Sequence, residues 1–461
     1  MEYHMRQFGP ASFYRKALAI ALPVMLQQLI MSLVSLIDNF MVAGLGDAKM
    51  AAINVANQIN FVYFVMLWTF VGAGGIYLAQ YRGAKDAEGM QQAYRFKVIM
   101  ALVLSTAHFA LCLLIPDKLI AIMTSGNAAQ AEIVEHGARY LRLVAWTWYP
   151  IALSTAIGTA YREIGKPKVT LVISIVATLI NTFGNWLFIY GNLGAPRLEV
   201  AGAAIATIIA RVFETGAFLV YVRVKKEAFF VPFIRIFKLR MKLFLQILSR
   251  SSMMLLSETT WVVSETVMTA IYNGRGGAEV VAGMAAGFTI ANIFFLVFQG
   301  IHTTTSVILG GALGAGELEK GRDYARWLKS GSLIAGSAVA ILALASILGI
   351  PLVFGNLTVA ARGVTAGLVA VIALYLPIWT LLNAQFAISR AGGDTALGMY
   401  VDVSVNTLIF IPGCFIMAWF TPWGPVLMFL VIKSTDILKY FIAAWYLKKE
   451  KWLKNLTVEG S

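Results

Sequence analysis

Charge is what this chain has least of. Asp, Glu, Lys and Arg make up 13% of its 461 residues, while 59% are hydrophobic; a soluble domain carries about twice that charge. A soluble enzyme or binding module is thereby excluded, and a polytopic membrane protein is left. Cysteine is nearly missing: Cys112 and Cys414 stand alone in apolar runs of opposite halves. They supply no disulfide framework and read as small buried hydrophobes. His108 and His302 have no neighbours at metal-ligand spacing, which leaves them structural roles. The chain also lacks a GxxxxGK[ST] phosphate loop and any soluble stretch able to hold a nucleotide; Gly314-Ala315-Gly316 is only a glycine-containing loop. ATP is therefore not expected as the direct energy source, and an ion gradient is. No clustered Ser, His or Asp constellation suggests an enzyme. The net charge of +14 resides in short loops between apolar spans, where bases set orientation and meet anionic lipid rather than nucleic acid.

What the chain does have is apolar length. Twelve spans follow one another at about 17–43, 51–80, 96–115, 140–161, 169–190, 200–222, 251–272, 280–310, 330–350, 364–389, 397–419 and 424–447, each near the ~20 residues a bilayer requires. The first is too long for a signal-peptide core and lacks a cleavage pattern, so it reads as a retained helix. Alternate loops divide the bases unequally. One set, from Arg6, Arg15 and Lys16 through Arg82, Lys85, Arg95 and Lys97 to the Lys448–Lys454 tail, carries 27; the other carries 7. Both termini are therefore expected on the cytoplasmic side of the cytoplasmic (inner) membrane.

The halves echo one another. Gly83-Ala84 returns as Gly314-Ala315, Arg162-Glu163-Ile164-Gly165 as Arg390-Ala391-Gly392-Gly393, and Asn181-Thr182 as Asn406-Thr407. Six spans per half is an even number, so the repeats insert the same way round. The expected organisation is all-α, with twelve transmembrane helices in two pseudo-symmetric six-helix lobes. The lobes are 1–222 and 251–461, joined by a cytoplasmic basic linker, 223–250. Within that linker Phe229-Phe230-Val231-Pro232-Phe233-Ile234 is expected to lie along the membrane surface. Two such lobes around a cavity are the usual basis of alternating access.

Polar residues at membrane depth are the functional candidates. Asp38 lies two-thirds along the first span, where a charge costs about 3 kcal/mol or more. It reads as a cation or proton site, against a structural bond to a neighbouring helix. Asn181 and Asn185 share a face one turn apart, as either helix glue or hard oxygen ligands beside a carboxylate. Thr207 follows a small-residue run in the sixth span. Glu258 and Glu265, two turns apart on span seven, read as a wet cavity wall that attracts organic cations. Gln58 and Gln299 are candidate cavity residues, with Gln27, Gln28, Asn54, Asn57 and Asn60 undecided between lining and helix contact. Asp402 is expected to reach the interface. Arg211 with Glu214, and Lys433 with Asp436 and Lys439, have the i,i+3 spacing of self-neutralising pairs.

Three stretches together resemble the multidrug and toxic compound extrusion (MATE) family, within the wider group of multidrug, oligosaccharide-lipid and polysaccharide exporters. They are Asp38-Asn39-Phe40-Met41-Val42-Ala43-Gly44-Leu45-Gly46 with Ala79-Gln80-Tyr81-Arg82-Gly83; Arg162-Glu163-Ile164-Gly165-Lys166-Pro167 leading to Asn181-Thr182-Phe183-Gly184-Asn185; and Phe188 to Pro196 through Thr207. The resemblance covers nearly the whole chain. It implies a V of two six-helix bundles exporting amphipathic or cationic compounds in exchange for Na+ or H+, without cofactor or nucleotide and as a monomer in lipid. It further implies that Asp38, Asn181, Asn185 and Thr207 line the coupling-ion site, as metal ligands if the ion is Na+. The Asn-x3-Asn form looks closer to Na+-using NorM-type members, and Glu258 matches an acid those members carry on span seven. Span ten departs from that branch: Trp379, Thr380, Asn383 and Gln385 stand there without an acid, which argues against a two-carboxylate site in the second lobe. The alternative function is a lipid or lipid-linked oligosaccharide flippase of the same superfamily. It calls for a strongly cationic cavity, whereas acids and amides outnumber bases at membrane depth.

Overall fold

The computed structural model describes residues 7–43, 46–126 and 129–459. Arg6 of the basic N-terminus and Gly44-Leu45 of the Asp38-to-Gly46 stretch lie outside them. Among the described residues there is no strand. Twelve long helical stretches run as α1 (Ala11–Ala43), α2 (Asp47–Gly83), α3 (Ala87–Leu114), α4 (Gln130–Val144 and Trp148–Glu163 joined by a 3-10 turn), α5 (Pro167–Tyr190) and α6 (Val200–Lys225). The second half adds α7 (Met241–Asn273), α8 (Ala278–Gly314), α9 (Leu318–Ser346), α10 (Val359–Ala391), α11 (Ala396–Val405 through a π turn to Ile411–Phe420) and α12 (Pro425–Lys433 and Thr435–Leu447). Among the described residues nine helices are long and apolar enough by themselves to cross a bilayer. The other three stretches have evident reasons for falling short. α4 and α12 are interrupted, and α7 carries Glu258 and Glu265 along its length. This is a multi-pass membrane protein.

Local chemistry sets the helix ends. Asp86 caps α3 by accepting from Gly89 N at 3.0 Å, and Thr358 caps α10 through Ala361 N at 3.2 Å, satisfying amides the helix itself leaves free. Pro167 and Pro425 begin α5 and α12, where a missing N–H costs nothing. The repeat is visible in backbone geometry. Gly165 after α4 and Gly393 after α10 take φ of +78° and +77°, a left-handed turn that suits glycine. A side chain on Gly83 would run into the carbonyl of Gly311, and one on Gly314 into the carbonyl of Gln80. The ends of α2 and α8 therefore touch backbone to backbone, reciprocally, at the Gly-Ala pairs the sequence repeats.

The chain packs as two compact units, Met1–Met25 with Ala79–Lys85 and Leu248–Ser461, and Leu26–Leu78 with Asp86–Ile247. These units differ from the expected 1–222 and 251–461. The first turns of α1 and the last turn of α2 pack with the C-terminal half: Phe13 and Ile20 join Leu309, Trp327 and Leu397 in its core. The stretch expected as a linker belongs largely to the other unit. Phe229 and Val231 are buried, with Phe229 against Tyr94 at 5.3 Å. Gln92 bonds Lys238 O and Arg240 N, and Arg240 pairs with Glu88 at 2.6 Å. Only its second part, with Phe233, Ile234 and Phe237 exposed, matches a surface-lying segment. Elsewhere large exposed side chains such as Leu179, Val220, Ile341 and Leu374 are the apolar exterior that hydrocarbon demands.

Candidate functional site

Close packing of α5 on α6 comes first. A Cβ on Gly184 would meet that of Ala206 at 2.9 Å, and one on Gly202 would strike the backbone of Phe188; small residues let these helices approach as membrane pairs do. The closeness aligns Asn181 and Asn185 of α5 with Thr207 of α6, and α1 brings Asp38 to the same place. Asn185 Nδ2 donates to Asp38 Oδ1 at 2.9 Å. With the Asn181 amide turned so that its nitrogen faces Asp38, it donates to Oδ2 at 3.0 Å while its oxygen accepts from Thr207 Oγ1 at 3.3 Å. Tyr190 donates to Met41 O at 2.8 Å and fastens the end of α1 to α5. All four residues named for the coupling site are thus brought together.

Two features distinguish this cluster chemically. Asn185 is buried, yet its Oδ1 has no hydrogen-bond partner; such an orphan acceptor costs about 1–3 kcal/mol. Among the described residues, the polar partners of Asp38 are amides and it has no cationic one. A carboxylate, amide oxygens and a hydroxyl form a hard oxygen set that suits a small cation, and the carboxylate alone suits a proton. Among the described residues no group of three or more His, Cys, Asp or Glu is placed to hold a metal, so any cation here relies on the amides.

The second unit holds a different cluster. Glu258 and Glu265, expected as free walls of a wet cavity, are each ion-paired: Glu258 with Arg390 of α10 at 2.8 Å and Glu265 with Lys433 of α12. Lys433 therefore bonds across to α7, instead of to Asp436 three residues along its own helix. Its ammonium also lies 5.3 Å from the ring centre of Phe410 and 5.4 Å from that of Phe429. Asp402, expected at the interface, is buried; it accepts from Ser257 Oγ at 2.5 Å and lies 3.4 Å from Lys439 Nζ. Lys439 is equally 3.4 Å from Asp436, which accepts from Trp379 Nε1 at 2.8 Å. As expected from the sequence, α10 brings no acid to this half, but two carboxylates, Asp402 and Asp436, do meet there. They converge from α11 and α12 rather than from α10, and a lysine sits between them.

The remaining expectations divide. Arg211 and Glu214 pair as expected, at 2.7 Å. His108 bonds Asn60 at 3.1 Å and stacks on Tyr63, and His302 bonds Asn383 at 3.0 Å; both are helix-to-helix contacts. Gln58 and Gln299 are exposed, each on its own unit. One feature was missed outright. Lys97 and Arg95, counted as loop bases, are buried in α3, and Lys97 Nζ meets Glu163 Oε2 at 2.5 Å. The available signal was Gly74-Gly75 in α2. A Cβ on either would collide with Lys97 or with the Glu163 carboxylate, so paired glycines make room for a buried pair of charges.

A family model described as MatE matches the chain twice, over residues 23–187 and 254–416, one match per half. A probable multidrug resistance protein NorM of Halalkalibacterium halodurans is 22% identical over 337 residues, covering 70% of each chain. Another of that description, from Bradyrhizobium diazoefficiens, is 25% identical over 354 residues, covering 75% of this chain and 71% of its own. Among solved structures, a MATE in complex with MaL6 is similar with a TM-score of 0.84 at 17% identity, covering 98% of each chain. A MOP superfamily transporter from Pyrococcus furiosus, described as having a binding pocket of reversed polarity that suggests a different function, gives 0.83 at 17% identity and the same coverage. These likenesses establish the fold.

Proposed function

The chain belongs to the MatE family, and on that premise we propose that it is a secondary active antiporter of the bacterial cytoplasmic membrane. It exports drug-like amphipathic or cationic compounds in exchange for inward Na+ or H+, by alternating access of its two halves. The curated relatives carry multidrug resistance names. The observation that carries the reading is Asp38, a carboxylate on a membrane helix held by amides alone among the described residues, beside the orphan oxygen of Asn185. Such a site is left electrostatically incomplete until a cation arrives. Cation uptake neutralises Asp38 and biases the protein toward releasing substrate outside.

Both termini face the cytoplasm in this reading. Removing Lys97 and Arg95 from the loop count leaves the basic bias intact. Substrate contact is assigned to the exposed Gln58 and Gln299 and to the partly exposed Glu258 and Glu265. A flippase is disfavoured: of the four bases buried among the described residues, Lys97, Lys433 and Lys439 each face a carboxylate, and Arg95 alone adds little positive charge to hold a pyrophosphate. The protein acts as a monomer in lipid and needs no cofactor. The test is Asp38→Asn in proteoliposomes with an imposed Na+ or H+ gradient, scored by ethidium movement. Ion-driven movement is expected to be lost, and the gradient that drives the unmodified protein identifies the ion. Normal driven movement in the variant overturns the assignment.

A further inference from the structure

The three helices that build the Asp38 site meet again at a second polar level in the same unit. Gln27 Nε2 donates to Ser174 Oγ at 2.9 Å, and Ser174 Oγ donates to Glu214 Oε1 at 2.9 Å. The other carboxylate oxygen of Glu214 accepts from Arg211 Nη1 at 2.7 Å. Gln27, Ser174 and Glu214 are 7%, 4% and 4% exposed, and Gln27 Oε1 has no partner.

The registers match. Gln27 to Asp38 on α1 and Ser174 to Asn185 on α5 are both steps of eleven residues, about three turns and ~16 Å. Ser174 to Asn181 on α5 and Glu214 back to Thr207 on α6 are both steps of seven, about two turns and ~10 Å. The seam that carries the first carboxylate therefore carries a second one in line with it, nearer the N-terminal end of α1. Each level pairs a carboxylate with a buried amide whose oxygen is unpartnered. They differ in one respect: the second has a resident cation in Arg211, whose side chain is 31% exposed and so reaches out of the cluster.

Resting on the coupling-site reading above, we propose that Gln27, Ser174 and Glu214 form a second station for the coupling cation on its way from Asp38 to the cytoplasmic side. Arg211 is the tethered counter-ion that fills the station when it is empty. A cation arriving from Asp38 meets the Glu214 carboxylate and the Gln27 oxygen as Arg211 swings outward. The return of Arg211 then expels it.

Glu214→Gln tests this beside Asp38→Asn, with Ser174→Ala, which cuts the link to Gln27, as the second variant should Glu214→Gln fail to fold. Two readouts are taken on protein in liposomes: ion binding, followed by tryptophan fluorescence during Na+ or acid titration, and ion-driven ethidium movement. Glu214→Gln is expected to bind the ion with affinity within about twofold of the unmodified protein while driven movement falls about tenfold or more, and Glu214→Asp to recover part of the rate. A purely structural bond lowers melting temperature without separating binding from turnover. Wild-type driven movement in Glu214→Gln overturns the station, as does parallel loss of binding, movement and stability in both Glu214→Gln and Ser174→Ala. If Asp38→Asn itself keeps driven movement, the coupling-site reading fails first. If Asp38→Asn is dead and Glu214→Gln is normal, only the station fails.

Discussion

The Asp38 cluster in one unit and the α7, α10, α11 and α12 cluster in the other answer the same problem, carboxylates on membrane helices, in opposite ways. Around Asp38 the partners are amides, with the Thr207 hydroxyl on one of those amides, and an acceptor is left over. In the other cluster four carboxylates, Glu258, Glu265, Asp402 and Asp436, face Arg390, Lys433 and Lys439. The chain there supplies its own cations. Breaking a buried ion pair strands a charge, and the Lys433 and Lys439 side chains, 9% and 5% exposed, lack the outward reach of Arg211 at 31%, so the second cluster is held closed while the first stays open. On the proposed function, a duplicated scaffold thus carries one site that takes its cation from solution and one that already holds it. Similar folds need not imply equal sites.

The sharpest way to break this contrast is to close the open site. Asn185→Lys places an ammonium where an amide now bonds Asp38. About 1.4 kcal/mol of competing pair energy displaces a cation tenfold, so driven ethidium movement is expected to fall by at least that factor. The protein should also stop responding to Na+ or acid in thermal melts. Unimpaired transport here removes the claim that an unfilled carboxylate is essential.

The converse change opens the closed site. Lys439→Met leaves Asp402 and Asp436 without the ammonium that lies 3.4 Å from each. Made in an Asp38→Asn background, it should create a new stabilisation by Na+ or by acid, read as a melting temperature that rises with either. Its size should be about 1–3 kcal/mol, the range for satisfying a stranded buried group. A flat response means Lys439 is a packing residue and not a stand-in cation.

These two clusters also mark what the sequence reveals. Asp38, Asn181, Asn185 and Thr207 are legible because each is a polar residue isolated in an apolar span, and one-turn spacing puts the two amides on one face. The twelve spans are legible from length alone, since a bilayer fixes it. The second cluster was read by local spacing, which finds i,i+3 partners but not those from other helices. Lys433 bonds Glu265 across 168 residues, and Asp402 meets Ser257 across 145. Lys97 was misplaced because a lysine near a span's edge reads as a loop base, and only the Gly74-Gly75 opposite it signals burial. The division of α1 and α2 between units was not legible, since an unbroken helix gives no sign of which neighbours its ends will choose.

Within the unit of Asp38, the Lys97–Glu163 pair offers a control that is buried yet self-neutral. Lys97 is fully buried and Glu163 nearly so. Lys97→Met should destabilise by about 3–5 kcal/mol through the stranded carboxylate, and Lys97→Met with Glu163→Gln should recover much of that. Ion response at Asp38 should survive wherever the protein folds. If the single variant melts normally, the pair is not what holds α3 to α4.

The smallest effect is expected where charges meet in water. Lys49 bonds Glu199, with side chains 24% and 35% exposed, and holds the Glu199 carboxyl below its ordinary range, chiefly through that hydrogen bond. A depressed acid stabilises above its unfolded pKa of about 4.3 and loses that contribution as pH falls through the folded value. Exposure limits it to about 1 kcal/mol at most. Glu199→Gln should therefore lower melting temperature slightly at neutral pH and converge with the unmodified protein in acid. Glu199 also has φ of +52°, a conformation costly for a side chain and free for glycine. Glu199→Gly loses the same ion pair but sheds that strain, so it should melt at or above Glu199→Gln at every pH. If the glycine variant is the weaker of the two, glycine's larger loss of conformational freedom on folding outweighs any strain at Glu199, and the positive φ there is not a cost the Lys49 bond has to offset.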